Sequence, residues 1–215
     1  MYDDYSKCTK KEALEYVKKQ GYLLRYLSLE LKDDYDVVLT ALKENSFAIE
    51  HASERLKNNK ELALLAVKEC GYPLEHVSER LKNDKEVVLA AVKANGRALE
   101  YASNELKNDK DIIMTTINSG EYSFDDFSKK MKKDREVCLA AFTSKSYFST
   151  PMYNLECKVD EEFLCDAMSI NGMKLDKVGP MWKRNKNVVK AAVKQNPEAL
   201  QYANKRLRED PEMIN

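Results

Sequence analysis

Apolar and polar residues follow a pattern along this chain that recurs about every 25 residues. Residues 85–110, KEVVLAAVKANGRALEYASNELKNDK, show it most clearly. Asp84 precedes an apolar run at residues 87–92, and its carboxylate can accept hydrogen bonds from the free amides of a first helical turn. Asn95 and Gly96 end the run, and glycine takes the left-handed conformation without a Cβ clash. This half of the unit predicts an α-helix that ends at Asn95-Gly96.

The second half of the unit predicts an amphipathic helix. Its apolar residues fall within one stripe at 100° per residue. They are Ala98, Leu99, Ala102 and Leu106. The first half is apolar on nearly all sides, which favours a helix buried between two layers. The unit therefore predicts a buried helix, a tight turn, a half-exposed helix and a short loop.

Copies of the unit fill most of the chain. Repeats one to eight span residues 10–34, 35–59, 60–84, 85–109, 110–134, 135–160, 161–185 and 186–210. Each has 25 residues except the sixth, which has one more between Ser144 and Pro151. A fixed period of this size is typical of solenoids, in which each unit buries its apolar face against its neighbours. We predict an all-α solenoid of about eight helix-turn-helix repeats, with a lead-in at residues 1–9 and a tail at residues 211–215.

Repeats six and seven depart from the pattern at residues 144–182. Pro151 fits only near the start of a helix, because an interior proline loses a hydrogen bond and clashes with the preceding turn. Gly179-Pro180 falls inside the predicted second helix of repeat seven, which we expect to be shortened, kinked or divided there. Three readings remain open for this segment: a partner site, a bend between repeats, or decay of the repeat.

The units KEVVLAAVKANGRALEYASNELKNDK and KNVVKAAVKQNPEALQYANKRLRED resemble a repeat family, the domain of unknown function numbered four-one-one-six. Its pattern runs roughly "evVLaAVkqnG.aLeyAs..Lr.D". The resemblance is close in repeats two to four and eight and weak in repeats six and seven. It implies an all-helical repeat found in bacterial, protist and viral proteins. It brings no catalytic residue, cofactor or substrate.

Charge and composition narrow the functional classes. The 36 basic and 36 acidic residues cancel, unlike the strongly basic surface of a dedicated nucleic-acid binder. The N-terminal residues are too polar for a signal peptide, and no apolar run approaches the length of a membrane span. The five cysteines, among them Cys138 at the position of Val88 and Cys157 at that of Leu106, favour core thiols in a reducing compartment. We expect a cytoplasmic protein.

Aromatic side chains recur on the predicted second helices. The aromatic column, at the first position of these helices, comprises Tyr22, Phe47, Tyr72, Arg97, Tyr122 and either Tyr147 or Phe148. Four residues further on lie Tyr26, His51, His76 and Tyr101, on a neighbouring part of the same helix surface. Trp182 takes the leucine position of repeat seven. Aromatic residues are the usual anchors of protein interfaces, so these are the candidate partner-binding residues. The alternative is a second packing seam between repeats.

Charged and hydroxyl side chains also recur once per repeat. The acidic column comprises Glu50, Glu75, Glu100, Asp125 and Asp176. The lysine column comprises Lys32, Lys57, Lys82, Lys107, Lys132, Lys158 and Lys183, with Arg208 at its end. The serine column, Ser28, Ser53, Ser78, Ser103 and Ser128, borders the apolar stripe, and its hydroxyls can bond the carbonyl four residues back. Solubilising helix ends account for the charges, although a lysine column could follow a phosphate backbone.

Catalytic and metal-binding patterns are absent from the sequence. The only histidines, His51 and His76, lie one repeat apart, and equivalent positions in stacked repeats are too distant to share a zinc ion. No Ser-His-Asp order, phosphate-binding glycine loop or His-Glu-x-x-His motif occurs. We therefore expect no enzyme activity, cofactor or metal. The sequence favours a protein-binding module, such as an adaptor, scaffold or protein inhibitor. The alternative is a module that binds nucleic acid, or inhibits a nucleoprotein, through the lysine column.

Overall fold

A computed structural model describes residues 5–144 and 151–214. This part of the chain is built from α-helices and 3-10 helices and contains no strand. The α-helices are α1 (Lys10–Lys19), α2 (Leu29–Lys32), α3 (Tyr35–Glu44), α4 (Glu54–Lys57), α5 (Lys60–Val67), α6 (Glu79–Lys82), α7 (Lys85–Ala94), α8 (Lys110–Ser119), α9 (Lys129–Lys133), α10 (Arg135–Thr143), α11 (Glu161–Ile170), α12 (Lys186–Gln195), α13 (Lys205–Arg208) and α14 (Pro211–Ile214). The predicted all-α repeat fold is confirmed.

Short 3-10 helices separate these α-helices. They span Tyr5–Lys7, Gly21–Tyr26, Ser46–His51, Tyr72–His76, Gly96–Tyr101, Leu106–Asn108, Phe124–Asp126, Met152–Asn154, Gly172–Lys177, Trp182–Arg184 and Pro197–Tyr202. The chain forms two compact units, Met1–Asp126 and Phe127–Asn215. In the first unit, α1 packs on α3, α3 on α5, α5 on α7 and α7 on α8. In the second unit, α10 packs on α11 and α11 on α12.

The predicted second helix is wrong as a continuous element. In repeat two, α3 is followed by the 3-10 helix Ser46–His51 and then, after a break, by the single turn α4. Ala52 and Ser53 form the break in extended conformation, with φ/ψ of −67°/159° and −62°/156°. Each complete repeat therefore has a long α-helix, a 3-10 helix and a terminal turn, so the helix-turn-helix description is too simple.

A serine caps the turn that follows the break. The Ser53 hydroxyl accepts a hydrogen bond from the amide of Leu56 at 3.2 Å, which makes it the N-cap of α4. The amide of Ser53 donates to the carbonyl of Lys32 in the preceding repeat at 2.9 Å. The same capping bond is made by Ser28, Ser78, Ser103 and Ser128. The expected bond from these hydroxyls to a carbonyl four residues back is therefore replaced by a cap to an amide three residues ahead.

Gly179-Pro180 lies at this same break in repeat seven. Gly179 takes the serine position, and its carbonyl accepts from the amide of Trp182 at 3.0 Å. Pro180 follows as the first residue of the terminal turn, where its missing amide costs no hydrogen bond. The expected division of this helix is confirmed. It is the interruption common to the repeats rather than a defect of repeat seven.

One face of each long helix forms the core. In α7, Val87, Val88, Ala91 and Val92 are fully buried. Leu89 and Ala90 are only half-buried, so the expectation of burial on all sides is wrong. At 100° per residue, the third, fourth, seventh and eighth positions share about 140° of the helix, and the fifth and sixth point away from it.

Two glycines show how closely successive repeats approach. A Cβ on Gly96 would lie 2.3 Å from the carbonyl oxygen of Glu121, and one on Gly71 would lie 2.5 Å from that of Ala91. Of the described glycines, only Gly71 and Gly120 have positive φ. The left-handed conformation expected at Gly96 is therefore wrong. Gly96 is required because the backbone of the next repeat leaves no room for a side chain.

The starts of successive long helices are joined by a recurring fork of charges. Lys60, at the start of α5, contacts Asp84 at 2.8 Å and Glu86 at 2.9 Å at the start of α7. Asp84 also caps α7 by accepting from the amides of Glu86 and Val87. Equivalent forks join Lys10 to Asp34 and Asp36, Lys85 to Asp109 and Asp111, and Lys186 to Asp210 and Glu212. In repeat seven the side-chain amides of Asn185 and Asn187 both donate to the carboxylate of Glu161. The fork is therefore kept, but the acidic group lies on the earlier helix.

Leu99→Ala and Leu29→Ala form a matched pair for the core. Leu99 is fully buried, whereas Leu29 is 83% exposed. We expect Leu99→Ala to lower the free energy of unfolding by about 2–5 kcal/mol, because it removes buried methyl groups and leaves a cavity. Leu29→Ala should change it by less than about 0.5 kcal/mol. Urea titration followed by circular dichroism measures both, and equal losses would contradict the packing described here.

Asp84→Asn separates the cap from the charge. Asn59 and Asn185 cap their helices through side-chain oxygens, so Asn at residue 84 keeps the cap and loses the charge facing Lys60. We expect Asp84→Asn to cost about 0.2–1 kcal/mol of unfolding free energy at neutral pH. Asp84→Ala should cost about 1 kcal/mol more, because the cap is lost too.

The cost of Asp84→Asn should depend on pH. Burial tends to raise the pKa of the Asp84 carboxyl, but the hydrogen bonds from Lys60 and from the amide of Val87 outweigh burial and hold the pKa below its usual range. A lowered folded-state pKa contributes stability above the unfolded value of about 3.9 and loses it as the pH falls through the folded value. The difference between wild type and Asp84→Asn in urea titrations should therefore shrink in acid. A constant difference from neutral pH to about pH 2 would contradict this.

Candidate partner-binding surface

The 3-10 helices align each aromatic residue with the charge three positions later. A 3-10 helix has three residues per turn, so residues i and i+3 eclipse one another. In Ser46–His51, Ala48 and Ile49 are buried, whereas Phe47 and Glu50 are exposed. The ring of Phe47 and the carboxylate of Glu50 therefore occupy the same face. The α-helical spacing assumed from the sequence had instead placed His51 beside Phe47.

The aromatic column is not uniform along the chain. Tyr22, Tyr26 and Phe47 are 46%, 49% and 43% exposed. Arg97 is also exposed, and the half-buried candidates are His51, Tyr72, His76, Tyr101 and Trp182. Tyr122 is buried, with 5% exposure. Tyr147 and Phe148 lie outside the described residues. The column thus presents rings to solvent in repeats one and two and packs a ring into the core in repeat five.

Side chains of adjacent repeats meet on this surface. The phenol of Tyr101 in repeat four lies near the carboxylate of Glu75 in repeat three. Burial raises the pKa of Tyr101, and the charges of Glu75 and Glu100 add to this effect. Tyr101 therefore lies between two members of the acidic column. We call the following set the aromatic–acidic face: Tyr22, Tyr26, Phe47, Glu50, Tyr72, Glu75, Glu100 and Tyr101.

Tyr5 covers part of the first repeat. Its ring packs edge-on against Tyr16, with centroids 5.0 Å apart, and lies 6.2 Å from the ring of Tyr26. The guanidinium of Arg25 lies 5.1 Å above the ring of Tyr26. The described part of the lead-in therefore folds onto the array and orients Tyr26, which keeps about half of its surface exposed.

The two histidines sit beside the acidic column. His51 Nε2 lies 3.9 Å from Glu50 and His76 Nε2 lies 4.0 Å from Glu75. Burial lowers the pKa of His51 despite the nearby Glu50 carboxylate. The lowered pKa favours the uncharged form of the His51 imidazole. Within residues 5–144 and 151–214, no group of three or more His, Cys, Asp or Glu side chains is placed to hold a metal ion.

Lysine-column residues turn back toward their own repeats. Lys57 Nζ lies 2.9 Å from Glu54, and Lys82 Nζ lies 2.8 Å from Glu79. Both lysine side chains are less than one-fifth exposed. Further along, Lys107 donates to the carbonyl of Glu100, and Lys183 donates to the carbonyl of Asp176. These lysines cap the ends of 3-10 helices, as the helix dipole favours.

Sequence reasoning missed several exposed apolar side chains. They are Leu29, Tyr153, Ile170 and Met181. Leu29 is a further exposed apolar side chain of repeat one, three residues after Tyr26 in the sequence. The signal for it was available, because repeats two and three carry Glu54 and Glu79 at the position of Leu29. An apolar residue at a position where other repeats carry a charge therefore indicates an exposed apolar side chain, even outside the recurring columns.

A groove lies near the C-terminal end of the second unit. It encloses about 420 Å³ between α12, the 3-10 helix Pro197–Tyr202 and α14. Val193, Leu200 and Met213 form its apolar lining, and Lys190, Lys194 and Glu212 stand at its rim. No pair of nucleophile and base converges there, so its lining lacks the arrangement that catalysis requires.

Comparison with protein families identifies the repeat. The family described as Domain of unknown function (DUF4116) matches residues 10–57, 59–107, 84–131 and 160–213. These segments cover more than half of the chain, so the chain belongs to this family. No curated protein and no solved structure matches the chain. Among the described residues, no helix has the length and apolar character needed to span a membrane.

Phe47→Ala and Tyr122→Ala test the change in role along the aromatic column. Tyr122 is buried, so its truncation should lower the free energy of unfolding by about 3–5 kcal/mol. Phe47 is 43% exposed, and Phe47→Ala should cost less than about 1 kcal/mol. Urea titration of the two single variants measures the contrast. Comparable large losses would show that the whole column is a packing seam.

Proposed function

We propose that this member of the family is a non-catalytic protein-binding module, acting in the cytoplasm as an adaptor, scaffold or protein inhibitor, without a cofactor. The observation that carries the proposal is the aromatic–acidic face, where rings and carboxylates from four successive repeats are presented together. Helical repeat arrays commonly use such extended surfaces to hold other proteins.

Exposed rings are the first support for this function. Tyr22, Tyr26 and Phe47 each leave nearly half of their surface in solvent, and Leu29 adds an exposed aliphatic side chain. Aromatic residues dominate the energetics of protein interfaces, and clustered exposed apolar groups are a feature of interaction sites. Binding would remove these side chains from water.

Rigidity of the face is the second support. Each ring stands on a 3-10 helix that is followed by a capping serine: Ser28, Ser53, Ser78 or Ser103. Asn45 caps the helix of Phe47 by accepting from its amide at 3.0 Å. A side chain already held in place loses less conformational entropy when a partner binds, so more of the contact energy appears as affinity.

The engaged lysines make protein a better-supported partner than nucleic acid. Lys57 and Lys82 are largely covered and paired with Glu54 and Glu79. A phosphate backbone would have to displace these pairs, and the adjacent acidic column would repel it. If nucleic acid were the partner, affinity would fall steeply with salt, because each phosphate contact releases counterions. Binding measured at two salt concentrations distinguishes the two cases.

Partner identification can be tied to the aromatic–acidic face by a paired design. The wild-type chain and the double variant Phe47→Ala/Tyr72→Ala are used as baits for affinity purification from an extract of the native source. A protein that wild type captures is then purified, and its affinity for wild type and for each single variant is measured by titration. We expect each truncation to weaken binding by about 1–2 kcal/mol, as for interface anchors, with little change in Tm.

Tyr153→Ala is the matched control, since Tyr153 is 84% exposed but lies outside the aromatic–acidic face. It should bind the purified partner as tightly as wild type. A partner that binds both the double variant and wild type with equal affinity would place the interface elsewhere. Loss of binding that accompanies a large fall in Tm would show that the rings serve folding instead.

A further inference from the structure

Repeat eight leaves apolar side chains uncovered that repeat seven buries. In repeat seven, Met168 and Leu175 are fully buried. The next long helix, α12, packs against both elements that carry them, α11 and the 3-10 helix Gly172–Lys177. The equivalent residues of repeat eight, Val193 and Leu200, are only half-buried. They line the groove of about 420 Å³ between α12, the following 3-10 helix and α14, which we call the C-terminal groove.

A single helical turn occupies one end of the C-terminal groove. Lys186 contacts Asp210 at 3.3 Å and Glu212 at 2.8 Å, which is the fork that joins the starts of successive long helices elsewhere in the array. Met213, at the third position of α14, is buried. The turn α14 therefore takes the place of the next long helix at its first turn only, and the rest of the groove is open.

The joints inside the array show what kind of element fits such a groove. Between repeats seven and eight, the equivalent place is filled by α12, which buries Val188, Val189 and Ala192 and leaves its other side to solvent. Between repeats four and five, α8 packs in the same way on α7 and on the 3-10 helix Gly96–Tyr101. An apolar groove between two helical elements accepts the apolar face of a third, amphipathic helix.

The rim of the C-terminal groove is positively charged. Lys190 stands where the other seven repeats have Leu, Met or Cys. Lys194 lies one turn further along the same side of α12, and both lysines are exposed. Glu212, the acidic residue of the rim, is already paired with Lys186. Acidic side chains on a helix in the groove would therefore face two lysines of opposite charge.

Pro197 selects for long apolar side chains. It takes the position of Gly172, where a Cβ would lie only 2.3 Å from the carbonyl oxygen of Ala192 in the next helix. Because proline has a Cβ, it excludes this close approach of a helix backbone. A helix in the C-terminal groove must lie further out. It therefore needs side chains longer than alanine to reach Val193 and Leu200.

A second copy of this chain fits the groove poorly. Its first long helix, α1, has the exposed carboxylate of Glu12 at the third position, and that carboxylate accepts from the amide of Thr9 at 2.8 Å. At the seventh position of α1 the ring of Tyr16 packs against Tyr5. Head-to-tail stacking would have to displace Tyr5 and would bring a charged group to an apolar surface.

We propose that the C-terminal groove is a second docking site, which binds an amphipathic α-helix of a partner protein. The helix places leucine-sized or larger apolar side chains against Val193, Leu200 and Met213, and acidic side chains opposite Lys190 and Lys194. The proposal does not rest on the function proposed for the aromatic–acidic face, which lies in the first unit.

The probe is a fluorescein-labelled helical peptide of about four turns, with leucines along one face and glutamates beside them. A hydrocarbon staple keeps it helical, since helices of this length are marginal in water. Its binding to the full chain is followed by fluorescence anisotropy. We expect saturable binding. Replacing the leucines by alanine, or the glutamates by lysine, should weaken binding at least about tenfold.

Charge reversal on the protein provides the matched variants. Lys190→Glu/Lys194→Glu should weaken binding of the glutamate peptide at least about tenfold and should bind the lysine peptide instead. Lys129→Glu/Lys133→Glu reverses two exposed lysines with the same spacing on α9 of the same unit, and it should bind like wild type. All four side chains are exposed, so the Tm should change little. Phe47→Ala/Tyr72→Ala should leave peptide binding unchanged, which separates this site from the aromatic–acidic face.

Three results would overturn the proposal. If the glutamate peptide does not bind, Lys190 and Pro197 serve only as the polar cap that ends an array. If wild type binds the alanine or lysine peptide equally well, or if both charge-reversed variants lose affinity alike, binding is not specific to the groove. If sedimentation shows self-association that Lys190→Glu/Lys194→Glu abolishes, a second copy occupies the groove instead.

Discussion

A capped break, made by Ser28, Ser53, Ser78, Ser103, Ser128 and Asn204, is the constraint on which the rest of this structure depends. At Ser53 one residue makes two kinds of bond, since its hydroxyl caps the turn that follows and its amide donates to Lys32 of the preceding repeat. Ser78 and Ser103 repeat the amide bond to Lys57 and Lys82, and Asn204 repeats it to Lys183. Each such bond fixes the register of one repeat against the one before it. It also prevents the second helical segment from continuing as a single α-helix.

The break determines what the surface displays. A continuous α-helix would spread aromatic and acidic residues around its circumference, whereas a 3-10 helix of six residues places them one above the other. The 3-10 helices therefore place Phe47 on the same face as Glu50, and Tyr72 on the same face as Glu75. Each of these helices is followed by a capping serine, Ser53 or Ser78. Helices this short are unstable in isolation, so the arrangement persists only because adjacent repeats bury one side of each element.

The charged groups divide between holding the array together and facing solvent. Lys60 and Lys85 join the starts of successive long helices. Lys57 pairs with Glu54, and Lys107 donates to the carbonyl of Glu100 near the end of a 3-10 helix. Although the net charge of the chain is zero, its charged side chains are therefore paired at specific positions of the repeat.

The sequence by itself determined the all-α repeat, its period, the capping residues of the long helices and the buried stripe of Ala98, Leu99, Ala102 and Leu106. These features depend on local hydrogen bonding and on helical periodicity, which nearby residues specify. Only the tertiary structure decided that Phe47 is exposed while Tyr122 is buried, and that the backbone of the next repeat leaves no room for a side chain at Gly96. Those outcomes depend on groups roughly 20 or more residues apart. Equivalent positions in a repeat share a local pattern, but the neighbour that packs on each of them differs.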